Sequence, residues 1–484
     1  MTIAIFSLVI GAFYSALTPK YRSIHQGASW QESLHGAEAG ADYGLFLLNQ
    51  FAVSTRDPEA YDWTANHWSY SNASYPSNGE RVLDSSYLPA LGGNNHVAVT
   101  RLTVDVYTRE SAPPYTPWFR IRSTARADLP GKSMSVDKRD AELRRMKLTA
   151  KNGSLDDPHV TRTVEVIAMP KLRFPRAITT AQGLTLGNSA NWRVDSFDSG
   201  NTAHSDPGSS AGGVYPSSAA ERLANGSIAT LQPLATGVTY GALIDGNGAV
   251  VAGDVLTVGG DDPDTVTHEN VSGSGGMDQT RIHDDFDDEI PTVTAPVWGL
   301  VSGNPPGNTN FATGNSAAAP TRYIIGGNLG AFAVTAPAAG SMGYIEILIN
   351  GNLDIGNGGG AEIVIPPNVY ATLYVDGNVD LGNGDVNADA ASSKVATHLT
   401  VYGVHAAGTY LASGNGTDIL AFYGPNYDVT LSGTVTTMGA IVSKSFRING
   451  GGNGGFHYDE ALGRTGDIAS WTMVSYFDDA RTDL

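Results

Sequence analysis

An acidic run near the middle of the chain has the residue types needed for metal binding or for glycoside cleavage. It spans residues 284–289 and follows His283. Carboxylate oxygens can bind calcium, and paired carboxylates can cleave a glycosidic bond. The spacing lacks the alternating aspartates of a calcium-binding loop, so a solvated loop is the favoured interpretation. The weak candidate metal ligands are Asp284, Asp285, Asp287 and Asp288.

A second group of carboxylates recurs with an internal repeat. The repeat consists of Ile349-Asn-Gly-Asn-Leu-Asp-Ile-Gly-Asn-Gly358 and, 26 residues later, Val375-Asp-Gly-Asn-Val-Asp-Leu-Gly-Asn-Gly384. Asp354 and Asp380 hold the same place in the two copies, which favours a role in turns over a unique catalytic site. A polysaccharide-cleaving site is the weaker alternative, and it would use Asp376, Asp380, Asp385 and Asp389.

A third motif combines a histidine with two acids and could form an acid–base pair or a ligand set. Its residues are Phe456, His457, Tyr458, Asp459 and Glu460. Because the motif follows the last repeat directly, we expect it to cap the end of a repeat array, whose exposed strand edges need a cover. The sequence contains no Ser-His-Asp order, zinc pattern, phosphate-binding loop or dinucleotide fingerprint. We therefore expect a protein that is not an enzyme and that has no cofactor.

The opening segment is apolar, and no charged side chain precedes Lys20. Its period predicts one helix over residues 2–53, kinked at Pro19. No basic residue precedes the apolar run, unlike in a signal peptide, so we expect this segment to be retained. A membrane anchor and the packing surface of a filament core both fit it. The predicted packing residues are Ile3, Ile5, Phe6, Leu8, Val9, Ile10 and Phe13.

The rest of the chain is predicted to be mainly β. Alternating residues at 97–107, 118–124 and 162–168 predict a small antiparallel sheet packed on the helix. From residue 175 the Gly/Asn-rich repeats predict a parallel β-helix, a type of solenoid, and a β-sandwich is the competing fold. The predicted domains are the helix (1–54), an α+β region (55–174) with a basic insertion (132–151), the β-helix (175–463) and a C-terminal tail or cap (464–484).

Charge is distributed unevenly along the 484 residues. The net charge is +3 over residues 1–176 and −22 over residues 177–484, and the chain has no cysteine. The acidic part argues against nucleic-acid binding, which needs a basic surface. The asymmetry suits a basic part near a membrane surface and an acidic part displayed in water.

The helix and the late motifs together resemble a known family. Residues 36–44 resemble the N-terminal region of PilX-type pilus assembly proteins, which are minor subunits related to type IV pilins, and they include Ala37, Glu38, Ala39 and Gly40. Residues 175–475 resemble the large β-rich domain of a subset of these proteins. The matching stretches are 184–199, 421–433, 438–445, 456–462 and 469–472.

The resemblance implies a structural subunit of a type IV pilus-like or type II secretion-like filament. Its partners would be sister pilin-like subunits, with the inner membrane before assembly and the cell surface afterwards. Pilins commonly have a glutamate at the fifth mature position, where this chain has Ile5. Either the first residues of the mature helix are missing from this sequence or the subunit works without that glutamate. The alternative function is a cell-surface adhesin or carbohydrate-binding protein, with calcium as a candidate requirement.

Overall fold

The chain forms two compact units. The computed structural model describes residues 2–52, 67–70, 80–89, 97–108, 118–128, 159–186, 192–206, 214–232, 244–245, 250–258, 279–317, 319–356, 362–449, 454–465 and 468–479. The first unit comprises Met1–Lys171 and Ile468–Leu484, and the second comprises Leu172–Asp467. The predicted basic insertion at 132–151 lies outside the described residues.

The first unit begins with one long helix, α1 (Thr2–Ala52). This confirms the predicted N-terminal helix. The helix continues through Pro19, where a kink was expected. A proline removes one backbone hydrogen bond, and the turns on both sides keep a helix of 51 residues intact. Within the described part of the chain, no helix combines the length and hydropathy needed to span a membrane.

Helix α1 packs on an antiparallel sheet in which buried and half-buried residues alternate strictly along the central strand. The first five strands are β1 (Trp68–Tyr70), β2 (Arg81–Leu83), β3 (Val97–Thr108), β4 (Trp118–Asp128) and β5 (His159–Leu172). Phe119 and Ile121 of β4 are fully buried, as period-2 alternation predicts for a sheet with one covered face. Each of these strands pairs antiparallel with the next, which confirms the predicted small antiparallel sheet.

The second unit is a parallel sheet of 22 short strands. The strands are β6 (Ile178–Thr180), β7 (Leu184–Thr185), β8 (Arg193–Phe197), β9 (Ile228–Thr230), β10 (Ile244–Asp245), β11 (Val250–Val251), β12 (Val255–Thr257), β13 (Ile282–His283), β14 (Asn310–Phe311), β15 (Thr321–Ile325), β16 (Phe332–Val334), β17 (Gly343–Ile349), β18 (Leu353–Asp354), β19 (Glu362–Val364), β20 (Val369–Val375), β21 (Val379–Gly382), β22 (Asp385–Val386), β23 (Leu399–Gly403), β24 (Gly408–Ala412), β25 (Thr417–Ser432), β26 (Thr436–Asn449) and β27 (Gly455–Asp459). A short helix, α2, spans Leu462–Thr465.

These strands form three parallel ladders, each joining a strand to another that lies one to three places further along the chain. One ladder runs β15–β17–β20–β23–β25. Another runs β18–β21–β24–β25, and the third runs β14–β16–β19–β22–β25. Asp354 pairs with Asp380, the register that the 26-residue repeat predicts. The parallel stacking is confirmed, and closure of the ladders into a solenoid stays a prediction.

The ladder order differs from the chain order. Strands β26 and β27 pair with the first strands of the unit, β6, β7 and β8. Strands β9 and β11 then extend the stack on the far side. The unit therefore begins and ends in the middle of its own ladders, and its core is continuous through that junction.

Because of this order, the chain must travel from one end of the ladders to the other between β13 and β14. Residues 284–305, here called the strap, make that passage without regular secondary structure. The Tyr423 hydroxyl donates to the Pro291 carbonyl at 2.7 Å, and the Trp298 ring meets Tyr374 edge-on with centroids 6.0 Å apart. Near its end, the Ser302 N–H donates to the Arg322 carbonyl at 2.7 Å. The strap thus covers the neighbouring aromatic rings of Tyr374, Tyr402 and Tyr423, which follow one another along the β20–β23–β25 ladder.

The chain finally returns to the first unit as β28 (Ile468–Asp479). This strand lies at the edge of the antiparallel sheet, next to β5. Residues 464–484 were expected to be a tail or cap, and the structure places most of them in the sheet of the first unit instead. The second unit is therefore an insertion between two neighbouring strands of the first.

Candidate functional site

The N-terminal half of α1 exposes large apolar side chains. Phe13, Tyr21 and Ile24 are 64%, 61% and 66% exposed. Among the predicted packing residues, Phe13 alone has a described side chain; those of Ile3, Ile5, Phe6, Leu8, Val9 and Ile10 lie outside the described set. Large apolar side chains exposed on one helix are a candidate interaction surface.

The C-terminal half of the same helix is packed against the sheet. Ala37 is fully buried, and a Cβ atom at Gly40 would lie 3.1 Å from the Val99 side chain. A Cβ at Gly44 would lie 2.7 Å from Ile121. The small residues in and after the predicted helix motif therefore let the helix approach β3 and β4 closely.

Glu38 of the helix motif fastens α1 to β28. Its carboxylate accepts a hydrogen bond from the Tyr476 hydroxyl at 2.8 Å. This bond, together with His35, holds the pKa of Glu38 below its ordinary value. Ala39 stands beside Glu38 on the helix and is half-buried.

Two further contacts join α1 to β28. The Asn49 side chain bonds both the N–H and the carbonyl of Trp471, whose indole packs edge-on against Phe119 with centroids 4.9 Å apart. Arg162 of β5 pairs with Asp478 of β28, and its guanidinium lies 3.9 Å from the Trp30 ring centroid. The first and last described elements of the unit are thereby locked together.

In the second unit, the predicted His457 motif forms a buried polar cluster at the junction of the first and last strands. Strand β27 pairs with β8 so that His457 stands opposite Asp195. The His457 Nδ1 lies 2.5 Å from an Asp195 oxygen, and Tyr215 and Arg193 donate to the other oxygen at 2.7 and 2.6 Å. The Tyr215 ring stacks on the imidazole with centroids 3.6 Å apart.

The pKa of Asp195 reflects a balance between burial and these bonds. Burial opposes ionisation, but the hydrogen bonds from His457, Tyr215 and Arg193 outweigh it, so the pKa of Asp195 lies below its ordinary value. Burial and the neighbouring Asp195 charge raise the pKa of Tyr215 far above its usual range. The Asp195 carboxylate is therefore ionised, and the Tyr215 hydroxyl that donates to it is neutral.

The two acids of the motif bridge the same junction. Glu460 accepts from the Ser196 hydroxyl at 2.8 Å and from the Asn225 amide at 2.9 Å. Asp459 accepts from the backbone N–H of Ser199 at 3.1 Å. Complete burial raises the pKa of Asp459 to about 6, although these N–H bonds oppose the rise.

Phe456 and Tyr458 complete the motif from within the core. Phe456 is fully buried, and the Tyr458 hydroxyl donates to the Phe174 carbonyl at 2.8 Å. The motif thus lies between two paired neighbours, β26 and β8, and does not cover a ladder end as the cap prediction required. The reason is the permuted ladder order, which puts the last strand in the middle of the stack.

The imidazole–carboxylate pair has the geometry of an acid–base dyad. Among the described residues, however, no hydroxyl nucleophile bonds to His457, and Tyr215 covers one face of its ring. Asp195 already has three hydrogen-bond partners. The cluster is suited to fastening the junction of β8 and β27.

The carboxylates of the repeat act locally in turns. Asp354 accepts from the Gly356 N–H at 2.9 Å, and Asp380 accepts from the Gly382 N–H at 3.0 Å. Three more aspartates bond neighbouring backbone or a histidine: Asp385 to the Thr417 N–H, Asp389 to the Ala391 N–H and Asp376 to His405. Asp354, Asp380 and Asp389 thus make the contacts of turn-forming aspartates, whereas Asp385 and Asp376 bond residues 32 and 29 positions away, in the next coil.

The acidic run opens the strap. Asp288 pairs with Arg176 at 2.7 Å, and the same guanidinium lies 4.6 Å from the centroid of the buried Phe286 ring. Asp285 and Asp287 are exposed, and Asp284 is half-buried. Across the described residues, no group of three or more His, Asp or Glu side chains is arranged to hold a metal ion.

The partners of His457 were missed by reading the sequence. Asp195 and Tyr215 stand more than 200 residues before His457, and no local spacing connects them. The one available signal was that residues 184–199 and 456–462 both belong to the stretches that carry the family resemblance. Asn49 and Trp471 are similarly remote, and nothing in their spacing predicts the bond between them.

Comparison with known proteins gives limited matches. A family model described as a domain of unknown function, DUF7305, matches residues 339–465, which is about a quarter of the chain. A solved structure, the competence-associated pilin ComZ from Thermus thermophilus, aligns at 13% identity over 93% of this chain and 97% of that one, with a TM-score of 0.27. A comparison with curated proteins found no match.

Proposed function

We propose that this chain is a non-enzymatic structural subunit of a filament, of the kind formed by type IV pilin-like minor subunits. The observation that carries the proposal is the division of α1 into two halves. One half packs on its own sheet through Gly40 and Gly44, and the other exposes Phe13, Tyr21 and Ile24. The exposed half of such a helix is suited to pack against a partner.

Burial of the exposed half against sister subunits would drive assembly. Removing apolar surface from water contributes about 25 cal/mol per Å², and this is an upper guide. The contacts of Glu38, Asn49 and Arg162 hold the packed half in place, so that force on the helix is passed to the sheet. The predicted residues from Ile3 to Ile10 belong to the same proposed surface.

The second unit would be displayed as a soluble head. We propose that its three ladders close into a parallel β-helix, because β25 and β26 each contribute consecutive segments to all three ladders. Its acidic charge favours solubility. The filament would be type IV pilus-like or type II secretion-like, with the subunit in the cell envelope before assembly and on the cell surface afterwards.

The test replaces exposed helix residues by aspartate in cells that assemble the filament. Phe13→Asp and Ile24→Asp should abolish incorporation into sheared filaments, as should Phe6→Asp and Val9→Asp. Leu411→Asp, at a partly exposed position in β24 of the head, is the matched control and should incorporate normally. Circular dichroism of each variant checks that the sheet units remain folded. Normal incorporation of the helix variants would contradict the proposal.

A further inference from the structure

The outer edge of β28 is an open strand edge. The antiparallel sheet ends at β28 on one side and at β1 on the other. Strand β1 has 3 residues, whereas β28 has 12. In the described part of the chain, no strand pairs with the outer edge of β28. A long edge leaves a row of backbone donors and acceptors available to another strand.

The edge also lacks the usual protection against pairing. Proteins blunt such edges with charged residues, proline or short strands. The segment Thr472-Met-Val-Ser-Tyr-Phe477 contains none of these residues. Met473 and Phe477 are 48% and 55% exposed, and Val474 and Tyr476 are also exposed. An unprotected apolar edge of this length is suited to strand addition.

At the start of the edge, the backbone groups of Trp471 are hydrogen-bonded within the molecule, which defines where the open part begins. The N–H and carbonyl of one strand residue point to the same side of the strand. Asn49 bonds the N–H and the carbonyl of Trp471. These two groups therefore face outward and are not available to another strand. Because successive residues face alternate sides of a strand, the next outward-facing groups belong to Met473, and the open edge extends from there towards Asp479.

We propose that this edge pairs antiparallel with β28 of a second copy of the chain, around a two-fold axis at Ser475. Charge selects the direction. Asp478 and Asp479 follow the apolar segment, so parallel pairing would set acidic residues directly opposite each other, which is destabilising. Antiparallel pairing places them at opposite ends. It sets Met473 against Phe477 and Val474 against Tyr476, which are apolar–aromatic pairs of the kind that stabilises sheets. This inference is independent of the filament role of α1.

Cysteine cross-linking tests the pairing and its direction, because the full chain has no cysteine of its own. Single cysteines are placed at each position from Thr472 to Phe477, and oxidised dimers are counted on non-reducing gels. Two residues directly opposite each other have Cβ atoms about 5 Å apart, which suits a disulfide. Antiparallel pairing predicts a dimer maximum at Ser475 that falls at both ends of the segment.

Other outcomes would overturn the proposal. Equal cross-linking at every position would indicate parallel pairing, and yields no higher than for a Leu411→Cys control would show that the edges do not meet. Sedimentation of the full chain, in a Phe13→Asp background that removes helix association, provides a second measurement. Val474→Lys should weaken dimerisation at least tenfold and Leu411→Lys should not. A chain that stays monomeric without either lysine would also contradict the proposal.

Discussion

At the scale of single residues, the repeat is explained by close backbone approach between successive coils. A Cβ at Gly351 would lie 2.7 Å from the Asn328 side-chain oxygen and 2.7 Å from the Gly327 carbonyl carbon. The neighbouring Asn352 N–H donates to Asn328 at 2.9 Å, and the Asn378 N–H donates to Asn352 at 2.9 Å. The shared Gly-Asn pair therefore forms a ladder of asparagine side-chain bonds in which glycine must precede Asn352 and Asn378.

Replacing Gly351 by alanine should destabilise the second unit. The new methyl group would lie too close to the backbone of Gly327 in the preceding coil. Overpacking of this kind costs about 1–3 kcal/mol. Thermal unfolding would measure the loss. Gly326→Ala is the matched control, since a Cβ there meets nothing within 4 Å. Equal melting temperatures for the two variants would contradict this account of the repeat.

Asp418 gives a pH-dependent prediction. It is fully buried, and burial followed by the nearby Asp385 charge raises its pKa to about 8. In the unfolded chain an aspartate loses its proton near pH 4. Between these values the folded state binds more protons than the unfolded state, so the free energy of unfolding should fall as pH rises from 5 to 8.

The Asp418→Asn variant checks this assignment. Denaturant unfolding at several pH values should show that the variant is more stable than the wild type at pH 8 by a few kcal/mol, with a flatter pH profile. Asp354→Asn, at an exposed turn, should keep the wild-type slope. An unchanged slope in Asp418→Asn would show that another group is responsible.

At the scale of elements, α1 was predictable and its contacts were not. Helical spacing of apolar residues predicted the helix, because that period is a local property of the sequence. The helix is continuous through Pro19, and the kink expected there stays a prediction. The docking of Asn49 and Glu38 on β28 joins residues more than 400 positions apart, and no local pattern encodes it.

Two glycines of α1 should respond oppositely to alanine. Gly44→Ala pushes a methyl group towards Ile121, a stiff β-branched side chain, and should lower stability by about 1–3 kcal/mol. Gly27→Ala meets nothing within 4 Å and should raise helix stability by about 0.5–1 kcal/mol. Thermal unfolding of the two variants distinguishes close packing from simple helix propensity. A stabilising Gly44→Ala would argue against the packed interface.

At the scale of the whole molecule, the repeat predicted stacking but not its order. The 26-residue spacing identifies neighbouring coils, and Asp354 opposite Asp380 confirms that register. The pairing of β27 with β8 joins residues that share no repeat motif, so it could not be read from periodicity. The same limit explains why the His457 motif was expected at a ladder end and β28 was expected as a tail.

The junction of first and last strands predicts that the second unit folds alone. Phe174 and Tyr458 are hydrogen-bonded at 2.8 Å, so the chain enters and leaves this unit close to one point, as an inserted domain should. A fragment containing residues 172–467 should be soluble and unfold cooperatively in calorimetry. His457→Ala should lower its melting temperature by removing a bond to a buried carboxylate. A fragment that aggregates or lacks a transition would contradict this independence.

The strap ties the number of coils to the length of one loop. Each added coil lengthens the run from β14 to β25 by the strand spacing of about 4.8 Å, while the connection from β13 must still reach the far end. Duplicating a 26-residue repeat would therefore lengthen the path of the strap by about one to two residues of extended chain, at about 3.3 Å each. The reach of this one connection therefore limits how many coils the unit can gain by duplication alone.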